Sequence, residues 1–421
     1  MYVSQQLAAE AVQQVFAGRN LGVALETIFK QNKQITLQQR AVAQDLSYGT
    51  LRFYGQCQAL LAQLLQKPLE DQYLRSLLLV AIYQLQHGKA SSHTIVDQAV
   101  KAASQFRQPW AKGLVNAVLR NFLRNKEALL AKLVGNEPAL YSYPKWWINK
   151  IRTQYPEQWR EMLEAGNQHP PMTLRVNQRK ISRDDYLAKL HSADISAEPL
   201  GNSAIKLLKP VSVEKIPAFF EGEVSVQDYG AQFAAELLDV QNGMHVLDAC
   251  CAPGGKTGHI LELADVEMLA LDNDASRLSR VADNLKRLGL GATLKVGDAA
   301  IPDVWWDGKL FDRILADVPC TASGIVRRHV DIKWLRREAD IASFSQQQAA
   351  ILPGLWQLLA KGGKLLYATC SVFHEENQRQ IEKFLESHAD AKLIPLAQLQ
   401  QGQLLPSEEH DGFFYALLQK I

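Results

Sequence analysis

Val246-Leu247-Asp248-Ala249-Cys250-Cys251-Ala252-Pro253-Gly254-Gly255-Lys256-Thr257 is the stretch on which the reading of this chain turns. Val246 and Leu247 close a short apolar run of the kind that forms a buried parallel strand. Pro253-Gly254-Gly255 forces a tight turn with little side chain, and a helical pattern with Ile260, Leu261 and Leu263 follows from near Lys256. Strand, glycine turn and helix bring backbone N–H groups to a ligand at a helix N-terminus, which suits a carboxylate, a phosphate or a nucleotide. Two common loops of this kind do not fit. A Walker loop needs glycine where Cys250 stands, and the adjacent Gly254 and Gly255 cannot supply the dinucleotide fingerprint.

Outward from that loop the pattern is regular. Gln227-Asp228 opens a helix reaching Leu238, and strands are predicted to end at Asp248, Leu271, Val296, Ala316 and Ala368, with helical patterns between them. Repeating βα units imply a mostly parallel, doubly wound sheet covered on both faces, with ligands beyond the carboxyl ends of the strands. The polar motifs fall at those ends: Asp272, Gly297-Asp298-Ala299, Asp317-Val318-Pro319-Cys320 and Tyr367-Ala368-Thr369-Cys370-Ser371. An acid at the second strand end, past a glycine loop, can accept both hydroxyls of a ribose. Asp298 is also placed to cap a helix. If the fourth and fifth strands are neighbours, Cys320 and Cys370 face one cleft.

The loop resembles motif I of the class I S-adenosylmethionine-dependent methyltransferases. Its form Cys-x-Ala-Pro-Gly-Gly-Lys-Thr resembles more narrowly the Nop2/Sun family of RNA cytosine-5 methyltransferases, and Pro-Cys and Thr-Cys-Ser strengthen that likeness. The resemblance implies S-adenosylmethionine as cofactor. Cys250, Cys251, Ala252, Pro253, Gly254, Gly255 and Lys256 would hold its methionine end, Asp272 its ribose and Asp298 its adenine. Asp317 would stand beside the cofactor and hold the cytosine. Carbon 5 of cytosine is a poor nucleophile, and a thiolate adding to carbon 6 activates it. Thr-Cys-Ser implies that Cys370 is that thiolate, and Pro-Cys that Cys320 assists release of the methylated base. The DNA enzymes use a Pro-Cys cysteine as nucleophile, so motif alone leaves the two roles exchangeable. The family form Arg-Arg-His-Pro-Asp has Val330 in place of proline here, after a Gly324–His329 stretch read as a basic loop near the cleft and suited to phosphates. Cys251 replaces the usual alanine, and Pro353 should kink its helix.

The N-terminal part reads differently. Residues 1–140 carry helical apolar spacing throughout, as in Leu74, Leu77, Leu78, Ala81, Ile82 and Leu85, with Thr36 and Gln39 at capping-box distance and Pro68 and Pro109 between helices. Ile95–Val100 and Gly113–Arg120 resemble the NusB-type RNA-binding helical domain. This part holds 15 basic against 8 acidic residues, a balance of +7, which leaves −5 for the remainder. A basic helical domain suits a polyanion. Arg120, Arg124, Lys126 and Lys132 form either a phosphate-facing stripe or a solvated helix face. In 141–224, Trp146, Trp147, Tyr155 and Trp159 interleave with Lys145, Lys150, Arg152 and Arg160, as RNA-stacking groups or as core with snorkelling stems. Met172–Asn177, a helix from Arg183 to His191, and strands near Ile195 and Ile205 look like a small α+β, RRM-like segment that helps grip RNA, with Arg175 and Asn177 as contacts.

The expected architecture is therefore an α/β class I (Rossmann-like) methyltransferase domain over 225–421, preceded by an all-α NusB-like domain over 1–140 and the segment 141–224. At 421 residues, 47% hydrophobic and 21% charged, the chain reads as a globular protein of two or three domains. No apolar run is long enough for a bilayer and no secretory pattern opens the chain. Five cysteines without zinc spacing point to a reducing, cytoplasmic setting and to no metal. The resemblance implies methyl transfer to a cytosine of small-subunit ribosomal RNA, free or in early assembly, by a monomer. The alternatives are the same chemistry on transfer RNA, or a binding-only, antitermination-type protein.

Overall fold

The computed structural model describes residues 2–104, 110–397 and 399–421 and contains two compact units, Met1–Gln168 with Val326–Glu338, and His169–Ile325 with Ala339–Ile421. Pro109 lies outside the described residues.

The first unit is helical. Seven helices, Tyr2–Phe16, Leu21–Gln31, Leu37–Arg52, Tyr54–Leu64, Gln72–His87, Ser92–Ala103 and Trp110–Ala131, enclose one apolar core. Their starts follow side-chain capping. Thr36 and Gln39 form the expected capping box, and Asp71 and Ser91 each accept a backbone N–H of the first turn. Three shorter helices, Glu137–Tyr141, Lys145–Gln154 and Trp159–Ala165, belong to the same unit. There Trp147, Tyr155 and Trp159 are buried, and the Arg152 and Arg160 guanidinium groups lie 4.3 and 4.6 Å from the Trp159 ring, so these aromatics are core with cations lying over them. Arg120, Arg124 and Lys132 are exposed.

The segment Val326–Glu338 corrects, at Arg327, the expectation that Gly324–His329 is a basic loop suited to phosphates; Arg328 is half-buried and His329 exposed. Arg327, Val330, Asp331 and Lys333 are buried in the helical unit. Val330 joins its apolar core, the Arg327 carbonyl accepts from Arg52 Nη2 at 2.8 Å, and Asp331 Oδ2 accepts from the Leu21 backbone N–H at 3.0 Å. Lys333 Nζ donates to Arg52 O and to Asn167 Oδ1, both at 2.8 Å. Apolar residues at 326, 330 and 332 flank the charges and draw them into the core, where each finds a partner.

The second unit opens with a four-stranded antiparallel sheet. Its strands are β1 (Met172–Val176), β2 (Ala197–Leu200), β3 (Ala204–Leu207) and β4 (Val224–Val226), in the order β2-β3-β1-β4. Helix Arg183–Ser192 packs Tyr186 and Leu190 on Leu174, Val176 and Ile205. Arg175 and Asn177 do not reach solvent, which corrects their reading as RNA contacts. Arg175 is 0% and Asn177 1% exposed. Asn177 Nδ2 donates to Gly222 O. Arg175 is bound on all sides by groups of its own unit, as described below.

The larger sheet contains β5 (His245–Asp248), β6 (Glu267–Asp272), β7 (Thr293–Val296), β8 (Phe311–Asp317), β9 (Leu359–Thr369), β10 (Ala391–Ile394), β11 (Gln403–Leu404) and β12 (Phe413–Lys420). The order is β10-β12-β9-β8-β5-β6-β7, with β11 beside β12. The pairs β5–β6, β6–β7, β5–β8 and β8–β9 are parallel, whereas β12 runs antiparallel to β9 and β10. The strand order reverses between β5 and β8, the position at which doubly wound sheets open a crevice for ligands. Two apolar clusters flank the sheet. Helix Glu338–Trp356 continues through Pro353 to its end.

Candidate active site

The glycine loop leaves β5 at Asp248 and enters helix Gly255–Leu263. Gly254 has φ +92°, and a Cβ there would stand 3.0 Å from Val281 Cγ1 and 3.2 Å from its Cα, so glycine is needed for both conformation and space. The loop is tied down from several sides. Cys251 N donates to Leu271 O at 2.9 Å, Ala252 N to Asp272 Oδ2 at 3.2 Å, and Asn284 Nδ2 to Pro253 O at 3.0 Å. Cys251 is buried, and burial pushes the thiols of both Cys250 and Cys251 up.

Arg175 reaches this loop from β1. Its guanidinium pairs with the buried Glu262 carboxylate at 2.7 Å and donates to Gln227 Oε1 at 2.5 Å and to the Gly255 carbonyl at 2.7 Å. One buried cation therefore joins the small sheet, the helix after the loop and the loop itself.

Around the switch point the acids take distinct settings. Asp248 is fully buried and accepts from Thr257 Oγ1 at 2.7 Å. Burial, helped by the repulsion of Asp317, pushes its carboxyl up to about 7. Asp272, almost wholly buried, accepts from Ala252 N and from Asp274 N and has Arg277 at 3.4 Å. Asp298 is exposed, and its Oδ1 accepts from Ala300 N at 2.8 Å. Lys256 Nζ lies 2.6 Å from Asp317 Oδ2. Burial works against the ammonium, but the Asp317 carboxylate outweighs it and holds the Lys256 pKa above its ordinary value.

Beside that ion pair stand the two thiols. Asp317 ends β8 and is in register with Ala368 of β9, so the loops carrying Cys320 and Cys370 leave adjacent parallel strands. Their Sγ atoms are 3.4 Å apart. The hydrogen bond with Cys370, together with burial, pushes the Cys320 thiol well up. The loops are also joined through their backbone. Gly324 N donates to Cys370 O at 2.8 Å, and a Cβ on Gly324 would fall 2.2 Å from Gly412 O. Thr321, Ser323, Ser371 and Glu376 form a buried polar cluster beneath the thiols. Sequence reasoning missed this cluster. Glu375 and Glu376 are indistinguishable as sequence, and only the turn His374–Glu376 decides that the second faces inward.

A glycine loop, an acid on each of the next strand ends, and two thiols beside a Lys–Asp pair, gathered at the switch point of a doubly wound sheet, define a Rossmann-like transferase site. Comparison with known proteins agrees. Residues 235–419 match the family of 16S rRNA methyltransferases RsmB/F, 143–214 match the ferredoxin-like domain of RsmF/B-like methyltransferases, and 3–124 match the NusB family. The chain belongs to the RsmB/F methyltransferase family.

Within that family it is 43% identical to the ribosomal RNA small subunit methyltransferase B of Serratia proteamaculans, over 100% of this chain and 99% of that protein. The crystal structure of PH0851 superposes with a TM-score of 0.83 at 26% identity, covering 100% of this chain and 99% of the other. A methyltransferase homolog from Pyrococcus horikoshii superposes with a TM-score of 0.60 at 28% identity, over 68% of this chain and 98% of its own. Among the described residues no helix is long and apolar enough to cross a membrane.

Proposed function

We propose that this protein transfers a methyl group from S-adenosylmethionine to carbon 5 of one cytosine in small-subunit ribosomal RNA, working as a cytoplasmic monomer on RNA that is free or in early assembly. The observation that carries this reading is the pair of thiols 3.4 Å apart beside the Lys256–Asp317 ion pair. Carbon 5 and carbon 6 of cytosine are bonded neighbours, so two groups serving them must stand in contact.

The residues present fit the methyl donor. The Gly254 surface has no room for a side chain, and Asp272, Asp298 and Asp317 bring carboxylates to successive strand ends around it. Carboxylates suit a ligand with a cationic sulfur, an ammonium group and ribose hydroxyls. When bound, S-adenosylmethionine supplies an electrophilic methyl group. Cys250 to Lys256 cradle the methionine end, Asp272 receives the ribose hydroxyls and Asp298 the adenine amine.

The target base must leave its stack to enter such a cleft, which favours a loop or bulge over a regular duplex. The Cys370 thiolate adds to carbon 6 and forms a carbon–sulfur bond. The Asp317 carboxylate, held by Lys256, accepts from the exocyclic amino group, and the proton given up by Cys370 passes through Asp317 to N3 as negative charge develops there. Carbon 5 then attacks the methyl carbon, whose bond to the sulfonium sulfur breaks and leaves the neutral thioether S-adenosylhomocysteine. Cys320 assists removal of the carbon 5 proton, the electron pair re-forms the ring double bond, and the carbon–sulfur bond breaks to return Cys370.

The test is a denaturing gel of enzyme with unmodified small-subunit rRNA and S-adenosylmethionine, comparing wild type, Cys320→Ala and Cys370→Ala. A protein–RNA adduct that persists in Cys320→Ala and is absent from Cys370→Ala is expected. An adduct in Cys370→Ala reverses the two roles. Methylation of transfer RNA in place of this RNA overturns the substrate assignment.

A further inference from the structure

Each of the two cysteines is followed by a hydroxyl residue, Thr321 after Cys320 and Ser371 after Cys370, and both hydroxyls donate to one buried carboxylate. Glu376 Oε1 accepts the Thr321 backbone N–H at 2.8 Å, and Oε2 accepts the Thr321 and Ser371 hydroxyls, each at 2.5 Å. Gln348 Nε2 adds a longer contact to Oε1 at 3.3 Å. Glu376 is itself fixed. Tyr367 Oη donates to its carbonyl at 2.7 Å, and the next residue, Asn377, accepts from Thr369 Oγ1 at 2.6 Å and donates to Ser371 O at 2.9 Å. A carboxylate with no solvent exposure needs such partners. Here its partners are the residues next to the two thiols, although many other donors are available in a protein of this size.

We propose that Glu376 is a positioning residue that clamps the Pro-Cys and Thr-Cys-Ser loops to one another and thereby sets the contact between the Cys320 and Cys370 thiols. The proposal rests on the roles given to those cysteines above. It does not place Glu376 on the substrate, because its hydrogen bonds end on Thr321, Ser371 and Gln348. Ser323 braces the clamp, with its hydroxyl 2.9 Å from Ser371 Oγ and accepting the Val372 N–H at 2.9 Å. A loosened clamp lets Cys320 drift from Cys370, and the step that needs both, release of the methylated base, slows first.

The experiment compares wild type, Glu376→Ala and Glu376→Gln. The amide of glutamine keeps the shape and one acceptor oxygen and can donate to a rotated hydroxyl. The first readout uses neither RNA nor cofactor: the rate at which diamide oxidises Cys320 and Cys370 to a disulfide, followed by peptide mapping. Disulfide formation demands a narrow Cβ separation, so Glu376→Ala should slow it about tenfold or more and Glu376→Gln should restore it. The second readout is the lifetime of the RNA adduct. It should lengthen in Glu376→Ala while the Kd for S-adenosylmethionine stays within about threefold of wild type, since a merely destabilised enzyme would hold less adduct. If Glu376→Ala does not fold, Thr321→Val removes one arm of the clamp and carries the same expectations. Wild-type crosslinking in these variants, or a loss of cofactor binding in step with melting temperature and no longer-lived adduct, overturns the proposal. Slower crosslinking in Glu376→Ala, with no adduct from the wild-type enzyme on any RNA, upholds the clamp and sinks the reading of the cysteines instead.

Discussion

Lys256 Nζ and Asp317 Oδ2 lie 2.6 Å apart, the lysine on the glycine loop's helix and the aspartate at the end of β8. The pair joins the two sides of the topological switch point, so the glycine-loop side and the thiol side share one charge balance. Lys256→Met should leave the Asp317 carboxylate without its cation. We expect kcat/KM to fall about 100-fold or more, the range of a removed acid–base or electrostatic partner. Asp317→Asn should lower kcat by a similar factor with a smaller effect on KM for S-adenosylmethionine, because it keeps a hydrogen-bonding group near the ring edge. Single-turnover methylation with a separate cofactor titration distinguishes the two. Wild-type kcat in Asp317→Asn would remove Asp317 from the mechanism.

Arg175 makes a prediction that separates structure from RNA binding. Its side chain and that of Glu262 are 0% and 3% exposed, and breaking a buried pair by removing one partner costs about 3–5 kcal/mol. Arg175→Met should therefore lower the stability of the second unit by roughly that amount in urea titration. It should also weaken S-adenosylmethionine binding, since the Gly255 carbonyl loses a donor. The salt dependence of RNA affinity should not change, because no phosphate contact is removed. A flatter salt slope in the variant would show that Arg175 meets RNA.

That arginine also shows where sequence ceases to be legible. The large sheet could be read because βα alternation and strand-end polarity are local features. The strand ends at Asp248 and Val296 match, and the expected neighbours β8 and β9 pair directly. The antiparallel β12 between β9 and β10 was not anticipated, because pairing direction at a sheet edge is decided by long-range register. Charged side chains misled most. Arg175, Arg327 and Lys333 look like solvent or phosphate groups in a string of letters, yet all three are buried, Arg175 against the Glu262 carboxylate and Lys333 against the Arg52 carbonyl, each far along the chain. The tie between Thr321 and Ser371 is equally invisible in the sequence. The signal that links them is a common partner, Glu376, and not any spacing.

Gly254 offers a test confined to the loop. Its φ of +92° is costly for any residue with a side chain, and an added methyl group meets Val281 at 3.0 Å. The left-handed backbone alone costs about 1–2 kcal/mol, so Gly254→Ala should weaken S-adenosylmethionine binding about tenfold as the loop shifts to relieve it. Calorimetric titration reads the affinity. The same variant should leave the diamide crosslinking rate of Cys320 and Cys370 near wild type, because those thiols lie on other loops.

Asp248 gives a pH dependence whose sign can be worked out. Burial raises its carboxyl from an ordinary value of 3.8 to about 7 in the folded protein. The folded state therefore holds this proton more tightly than the unfolded chain. The corresponding stability is fully present below about pH 4 and is lost as pH rises through about 7, by up to about 4 kcal/mol in total. Asp248→Asn cannot ionise, and its amide oxygen can still accept from Thr257 Oγ1, which lies 2.7 Å from the native carboxylate. Wild type and variant should match near pH 4 and diverge steadily above it, the variant becoming the more stable by a few kcal/mol at pH 8. Other titrating groups are common to both proteins and cancel in the difference. Urea titrations from pH 4 to pH 8 give the difference curve. A flat difference curve would mean that Asp248 is ionised throughout, its charge balanced by Lys256 across the switch point.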